Sequence, residues 1–368
     1  MIGAPRTRGR RPEMNAASGA EDILFARRGS LALITLNRPK ALNSLTLAMM
    51  QALDAQLDAW EADGSVAAVA IEGAGGRAFC AGGDIRALYD SRASGNRAYR
   101  AEFYREEYTQ NRRIFRYKKP YVALVDGIAM GGGVGLSVHG SHRIASERTL
   151  FAMPETGIGL FPDVGASYFL PRLPGSLGMY LGLTGARLAA ADCRYTGIAT
   201  HYVPSERHPA LLEALAAADL GAGKRAVDRV IARFAAEAGP APLAAVRASI
   251  DSAFAQGSVE EIMASLAREA SPWAKETLAD LERKSPTSLK LTFRQLREGR
   301  SLDFEAAMVM EYRICQYCMD GHDFFEGVRA AIIEKGGTPR WRPSTLAEVS
   351  EAEIDRAFAP RADDLVFR

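Results

Sequence analysis

Three short apolar runs, each cut off by a turn or a glycine-rich loop, constrain this chain most. Leu31-Ala32-Leu33-Ile34-Thr35-Leu36 stops at Asn37-Arg38-Pro39. Val66 to Ile71 runs into the Gly-rich loop Gly73 to Asp84. Tyr121-Val122-Ala123-Leu124-Val125 runs into Gly127 and then Gly131-Gly132-Gly133-Val134-Gly135. Apolar runs this short, bounded by such breakers, read as buried strands. After the first, apolar residues recur at Leu47, Met50, Leu53, Leu57 and Trp60, which makes one helix face with Thr46 or Ser44 as its cap. Val134 to His139 can also be helical. Strand, helix, strand, loop, strand, helix is an α/β pattern.

The long charged stretch Asn96 to Arg116 predicts an exposed helix or two. From about 205 the character changes to alanine-rich helical segments: Leu211 to Ala218, Ala226 to Glu237 and Glu260 to Arg268. A further helix starts at Ser285-Pro286-Thr287 and runs through Arg297. The expected organisation is an extension over 1–20, an α/β core over 21–205 and a helical region over 206–368.

The net charge of +2 gives no electrostatic case for nucleic acid, although basic patches are local and a phosphate pocket is compatible with it. Four cysteines do not make a disulfide framework and point to a reducing compartment. No apolar run approaches the roughly 20 residues of a membrane span. Met1 to Arg11 carries Arg6, Arg8, Arg10 and Arg11 with no acid, no secretory apolar core and no clear amphipathic pattern. Met14 offers a second start. These features lead to an expected cytoplasmic bacterial enzyme, with the mitochondrial matrix as the alternative.

Met153-Pro154-Glu155-Thr156-Gly157-Ile158-Gly159-Leu160-Phe161-Pro162-Asp163-Val164-Gly165 sets two carboxylates in an otherwise apolar, Gly and Pro segment. Desolvating a carboxylate is costly, so two acids here read either as groups with tuned protonation or as caps and arginine partners. Gly131-Gly132-Gly133 after a strand lets the backbone approach a ligand, and free N–H groups at a helix start can hold an oxyanion. Phe79-Cys80-Ala81-Gly82-Gly83-Asp84 is a second small-residue loop after a strand. Two such loops can supply two backbone donors to one carbonyl oxygen, which suits acyl-thioester or enolate chemistry.

Taken together and in order, Asn37-Arg38-Pro39-Lys40-Ala41-Leu42-Asn43, Phe79 to Ile85, Lys119-Pro120-Tyr121 to Gly127 and the glycine run resemble the enoyl-CoA hydratase/isomerase (crotonase) superfamily. The resemblance implies a spiral of ββα units with a helical C-terminal region. It also implies acyl-CoA binding, with the thioester oxygen held by the N–H groups of Gly83 and Gly132. The family's hydratases carry a glutamate soon after the glycine run, where this chain has Gly135, and a second one that it keeps as Glu155. Glu155 and Asp163 instead resemble the family's branch that hydrolyses short 3-hydroxyacyl-CoA thioesters such as 3-hydroxyisobutyryl-CoA in valine breakdown. So do Phe103 to Tyr108, Met130 to His139, Tyr168 to Leu173, Gly197 to Val203, Asp323 to Ala330 and Pro339-Arg340-Trp341.

By that resemblance Glu155 either attacks the carbonyl or activates water, and Asp163 binds the 3-hydroxyl or positions and deprotonates water. Glu107 contacts the substrate. Lys40, Ala41, Ala81, Asp84 and Arg86 fall where CoA is bound. CoA is part of the substrate, so no cofactor is implied, and family members often form dimers or trimers. Two departures stand out: Ala166-Ser167 where two glycines are usual, and Gly336-Gly337, far in sequence from the chemistry and expected to matter little. Competing readings are a hydratase or isomerase on this fold and an inactive acyl-CoA-binding protein.

Other signals carry less. Cys315 and Cys318 form a lone Cys-x-x-Cys, read as packed thiols rather than zinc ligands. His139, His142, His201 and His322 fit no His-Glu-x-x-His motif and read as packing or local hydrogen-bonding groups. No Gly-x-Ser-x-Gly elbow or dinucleotide-binding glycine fingerprint is present.

Overall fold

The computed structural model describes residues 19–269 and 271–367. The expected extension, with Met14, falls almost wholly outside them.

Among the described residues nine strands form two sheets: β1 (Ile23–Arg28), β2 (Leu31–Leu36), β3 (Ala68–Gly73), β4 (Ala78–Cys80), β5 (Tyr121–Val125), β6 (Ile128–Met130), β7 (His142–Ala145), β8 (Leu150–Ala152) and β9 (His201–Tyr202). The larger sheet has the order β1-β2-β3-β5-β7-β9 and is parallel except for the β1–β2 hairpin; β4-β6-β8 form a small parallel sheet. The chain thus passes repeatedly from a strand of the large sheet to a strand of the small one, in the expected spiral of ββα units. β2 and β5 have the ends that their apolar runs predict, while β3 begins two residues later than expected.

β2, β3 and β5 read as near-continuous apolar runs because both of their faces are buried. Leu31, Leu33, Ala68, Ala70, Val122 and Leu124 face Leu211, Leu215, Val227 and Ile231 of the helices His208–Ala217 and Lys224–Ile231. The alternate residues Ala32, Ile34, Val69, Ile71, Tyr121 and Ala123 belong to the main core. The second of those helices stops at Ile231, short of the expected Glu237. After Tyr202 the regular elements are all helices, and apolar residues up to Leu365 share the main core with the strands.

Helix α1 (Leu47–Ala62) buries the expected Met50, Leu53, Leu57 and Trp60, and Thr46 caps it by accepting from the Met49 N–H. Asp84 caps α2 (Ile85–Ala93) and Asn96 caps α3 (Arg97–Arg116). The exposed helix expected over α3 is a correction. It is one helix, and it buries Phe103, Tyr104, Glu107, Tyr108, Gln110, Asn111 and Ile114. Arg100 is buried with them, while Arg112 and Arg116 pair with Glu305 and Arg113 pairs with Asp54 and Asp58. Helices α4 (Gly132–Val138), α5 (Pro286–Gly299) and α6 (Phe304–Asp320) complete the framework around the site.

Candidate active site

The loop after β4 is fixed by backbone pairing with Leu45. Leu45 N–H donates to Gly82 O at 2.9 Å, and Asp84 N–H donates to Leu45 O at 2.8 Å. In such a bridge the residue between the two bonds turns its own N–H the other way. That residue is Gly83. On the neighbouring loop Gly131 takes φ +48°, which lets Gly132 open α4 beside it. A methyl placed on Gly132 would lie 3.3 Å from the Gly83 nitrogen and 2.3 Å from Glu107 Oε1. Among the described residues neither Gly83 nor Gly132 donates its N–H to another backbone group. Two unused amides therefore border one small volume.

Three carboxylates face the same volume. Glu107 comes from α3, Glu155 from the turn after β8, and Asp163 from the loop beyond it. All are buried, at 4 % exposure each. Glu107 Oε1 and Glu155 Oε2 have no hydrogen-bond partner, while Tyr108 donates to Asp163 Oδ2 at 2.9 Å. A cavity of about 180 Å³ is lined by Gly83, Gly132, Glu107, Glu155 and Asp163, with Ala81, Phe103, Tyr104, Leu160 and Ile332 among its walls.

Burial dominates the proton affinities here, because a desolvated carboxylate resists ionisation. Glu107 is raised well above the ordinary carboxylate range by burial, then by the charges of Asp163, Glu155 and Glu311. Glu155 is raised by burial and by Asp163, against its own backbone amide and Lys284. Burial pushes Asp163 up to about 7, opposed by the Tyr108 hydrogen bond. Acids crowded in this way titrate as a group rather than singly.

The fold thus brings together the five residues Gly83, Gly132, Glu107, Glu155 and Asp163, with Ala81. It does not bring Lys40, Ala41, Asp84 or Arg86 into the cavity wall. Lys40 and Ala41 are exposed in the single turn Pro39–Ala41, tied to Ala81 through the Ala81 N–H to Leu42 O bond at 3.0 Å. Asp84 accepts from Ala87 N–H and pairs with Arg38 at 3.2 Å. Arg86 is exposed on α2, 3.9 Å from Asp90.

The Gly135 position has no room for a side chain. A methyl there would meet Asn111 Nδ2 at 2.5 Å and Val164 Cβ at 2.9 Å. The first departure fits the loop: Ser167 Oγ accepts from Gln295 Nε2 at 2.9 Å. The second is nearer the site than its sequence position suggests. Gly336 and Gly337 both donate to Ala330 O, at the base of the turn Arg329–Ile333 that puts Ile332 in the cavity wall.

His139 Nε2 lies 2.7 Å from Val164 O and His142 Nε2 3.1 Å from Asp228. His201 Nδ1 meets Thr200, and His322 Nε2 meets Arg340 O. Cys315 and Cys318 are buried free thiols in α6.

Tyr108, Lys284, Gln295 and Glu311 are functional neighbours that motif and spacing do not single out. For Glu311 a signal existed: it is a single acid between Met308 and Met310 on one side and Ile314 and Cys315 on the other.

A family model described as enoyl-CoA hydratase/isomerase matches residues 31–358. The chain is 51% identical over 341 residues to the mitochondrial 3-hydroxyisobutyryl-CoA hydrolase of Xenopus tropicalis, spanning 92% of this chain and 88% of that protein. It is 47% identical over 344 residues to the human protein of the same name, spanning 92% and 89%. Among solved structures, one described as a carnitinyl-CoA dehydratase from Mycobacterium thermoresistibile superposes with a TM-score of 0.89 at 42% identity, over 95% of this chain and 99% of that one. One described as an enoyl-CoA hydratase from Rhodobacter sphaeroides 2.4.1 gives 0.86 at 40% identity, over 94% and 100%.

Proposed function

The chain belongs to the enoyl-CoA hydratase/isomerase family, and from that premise we propose that it hydrolyses 3-hydroxyisobutyryl-CoA to 3-hydroxyisobutyrate and CoA. The observation that carries this reading is the convergence of Glu155, Asp163 and the free N–H groups of Gly83 and Gly132 on one cavity. The names of the curated relatives support the choice of substrate.

The thioester oxygen sits between the Gly83 and Gly132 amides, which stabilise the negative charge that develops on it. Glu155 then acts by one of two routes. As nucleophile it bonds to the carbonyl carbon, the carbon–sulfur bond breaks, and CoA leaves as a thiolate that takes up a proton; water then splits the mixed anhydride. As base it takes a proton from water while the water oxygen bonds to the carbonyl carbon; the carbon–sulfur bond then breaks and CoA leaves as a thiolate that takes up a proton. Solvent-oxygen label entering Glu155 on a single turnover marks the first route; no label counts against it, and trapping an acyl-enzyme intermediate separates the two. Asp163 positions the water and accepts its proton or holds the 3-hydroxyl, and Glu107 contacts the acyl group. Residues 21–205 form the acyl-CoA-binding core on this reading, with Lys40, Ala41, Ala81, Asp84 and Arg86 along the CoA approach. The helical region 206–368 closes the cavity through Ile332. CoA is part of the substrate and no separate cofactor is required.

The mitochondrial names of the relatives favour the mitochondrial alternative over the cytoplasmic expectation. No helix among the described residues is long and apolar enough to cross a membrane.

Free-thiol release from 3-hydroxyisobutyryl-CoA by wild type, Glu155→Gln and Asp163→Asn tests the proposal. Rapid release, lost in both variants, is expected. No release by folded wild type would overturn the substrate. A hydratase is the second reading, favoured by the descriptions of the solved neighbours and opposed by the filled space at Gly135. Hydration of crotonyl-CoA separates the two.

A further inference from the structure

Glu311 reaches the catalytic loop from α6, well outside the segments that carry the chemistry. It is fully buried. Both of its carboxylate oxygens are engaged: Oε2 accepts the Gly165 N–H and Oε1 the Ser167 N–H, each at 2.8 Å. These amides lie two and four residues beyond Asp163. Between Asp163 and Ser167, Val164 has φ +52° and Gly165 φ +88°. A β-branched residue in the left-handed region is sterically disfavoured and persists only where its surroundings hold it.

The surroundings are specific. His139 holds Val164 O, Gln295 Nε2 donates to Pro162 O, and Ala166 N–H closes on Asp163 O at 2.9 Å. Glu311 is the element of this set that takes two backbone donors at once. Once ionised, Glu311 makes these as charge-assisted bonds, the stronger kind. Burial and the charge of Asp163 raise the proton affinity of Glu311, to about 8, while the two amides oppose that shift.

We propose that Glu311 is a positioning residue for the hydrolysis: by binding the Gly165 and Ser167 amides it fixes the left-handed turn that directs Asp163 into the cavity. The proposal rests on the hydrolase reading above. A carboxylate is required because glutamine offers one acceptor and one amino group, and the amino group would face an N–H.

The test is a double-mutant cycle on 3-hydroxyisobutyryl-CoA with Glu311→Gln, Asp163→Asn and the pair. Glu311→Gln is expected to lower kcat about 10–100-fold while KM and CoA affinity stay within about twofold. In the Asp163→Asn background it is expected to cost nothing further, because its effect passes through Asp163. Full multiplication of the two losses, or an unchanged kcat, would overturn the proposal. Amide hydrogen exchange on the unmodified full chain tests it without a variant. Gly165 and Ser167 are expected to exchange as slowly as the interior amides of α6; exchange at open-loop rates would overturn the clamp. If the wild type does not hydrolyse the substrate, the hydrolase reading and the catalytic role fall together, and the exchange rates still decide whether the clamp exists.

Discussion

Tyr108 donates its phenolic hydrogen bond to Asp163 Oδ2 at 2.9 Å, joining α3 to a loop 55 residues further along the chain. The Tyr104 and Tyr312 rings pack edge-on against the Tyr108 ring and fix its direction. This bond favours the ionised form of Asp163, while burial raises its pKa to about 7. If Asp163 is the base, kcat/KM for thioester hydrolysis rises with pH until Asp163 has lost its proton. Tyr108→Phe removes the donor, the proton binds more tightly, and the acid limb moves up by about 1–2 pH units. A limb that stays in place or moves down would detach Tyr108 from the proton chemistry.

Asp163 also sets a pH dependence of stability. Its carboxyl has an ordinary pKa of 3.8 and lies near 7 when folded. Between these values the folded chain holds a proton that the unfolded chain has released, so stability falls as pH rises through the window. Asp163→Asn should therefore be more stable than wild type at pH 8, by about 1–4 kcal/mol, with the difference vanishing toward pH 4. Urea unfolding at the two pH values measures this, and a variant less stable at pH 8 would contradict it.

Gly132 has no space for a methyl, which would lie 2.3 Å from Glu107 Oε1 and 3.1 Å from Leu45 Cδ1. Both contacts are side-chain ends that can yield, so Gly132→Ala should fold. It should nonetheless displace Glu107 and the Gly132 amide and cost about 10²–10³ in kcat. Steady-state kinetics beside a thermal melt checks this. A folded variant with wild-type rates would exclude the Gly132 amide from the reaction.

Restoring an acid at Gly135 should not create a hydratase. Asn111 and Val164 occupy the space into which the side chain would grow. Gly135→Glu is expected to destabilise the chain by about 1–3 kcal/mol or more, as overpacking does, and to leave crotonyl-CoA unhydrated. Hydration by a stably folded variant would revive the hydratase reading.

The local framework of the fold is legible in the order of residues alone. β2, β5 and the buried face of α1 follow from apolar period and Gly or Pro breakers, which act over a few residues. The two small-residue loops and the acids Glu155 and Asp163 were legible for the same reason: short segments with unusual local chemistry. β4, β6 and β8 have only three residues each, too short to show a period.

Which polar residues are buried depends on packing between distant segments. The charged composition of α3 predicts exposure, yet Glu107 and Tyr108 lie on the face that packs inward. Glu311 meets Ser167 and Gly165 across 144 and 146 positions. A periodic pattern records how a residue relates to its near neighbours, whereas the desolvation and pairing that give these groups their roles come from partners brought together by folding.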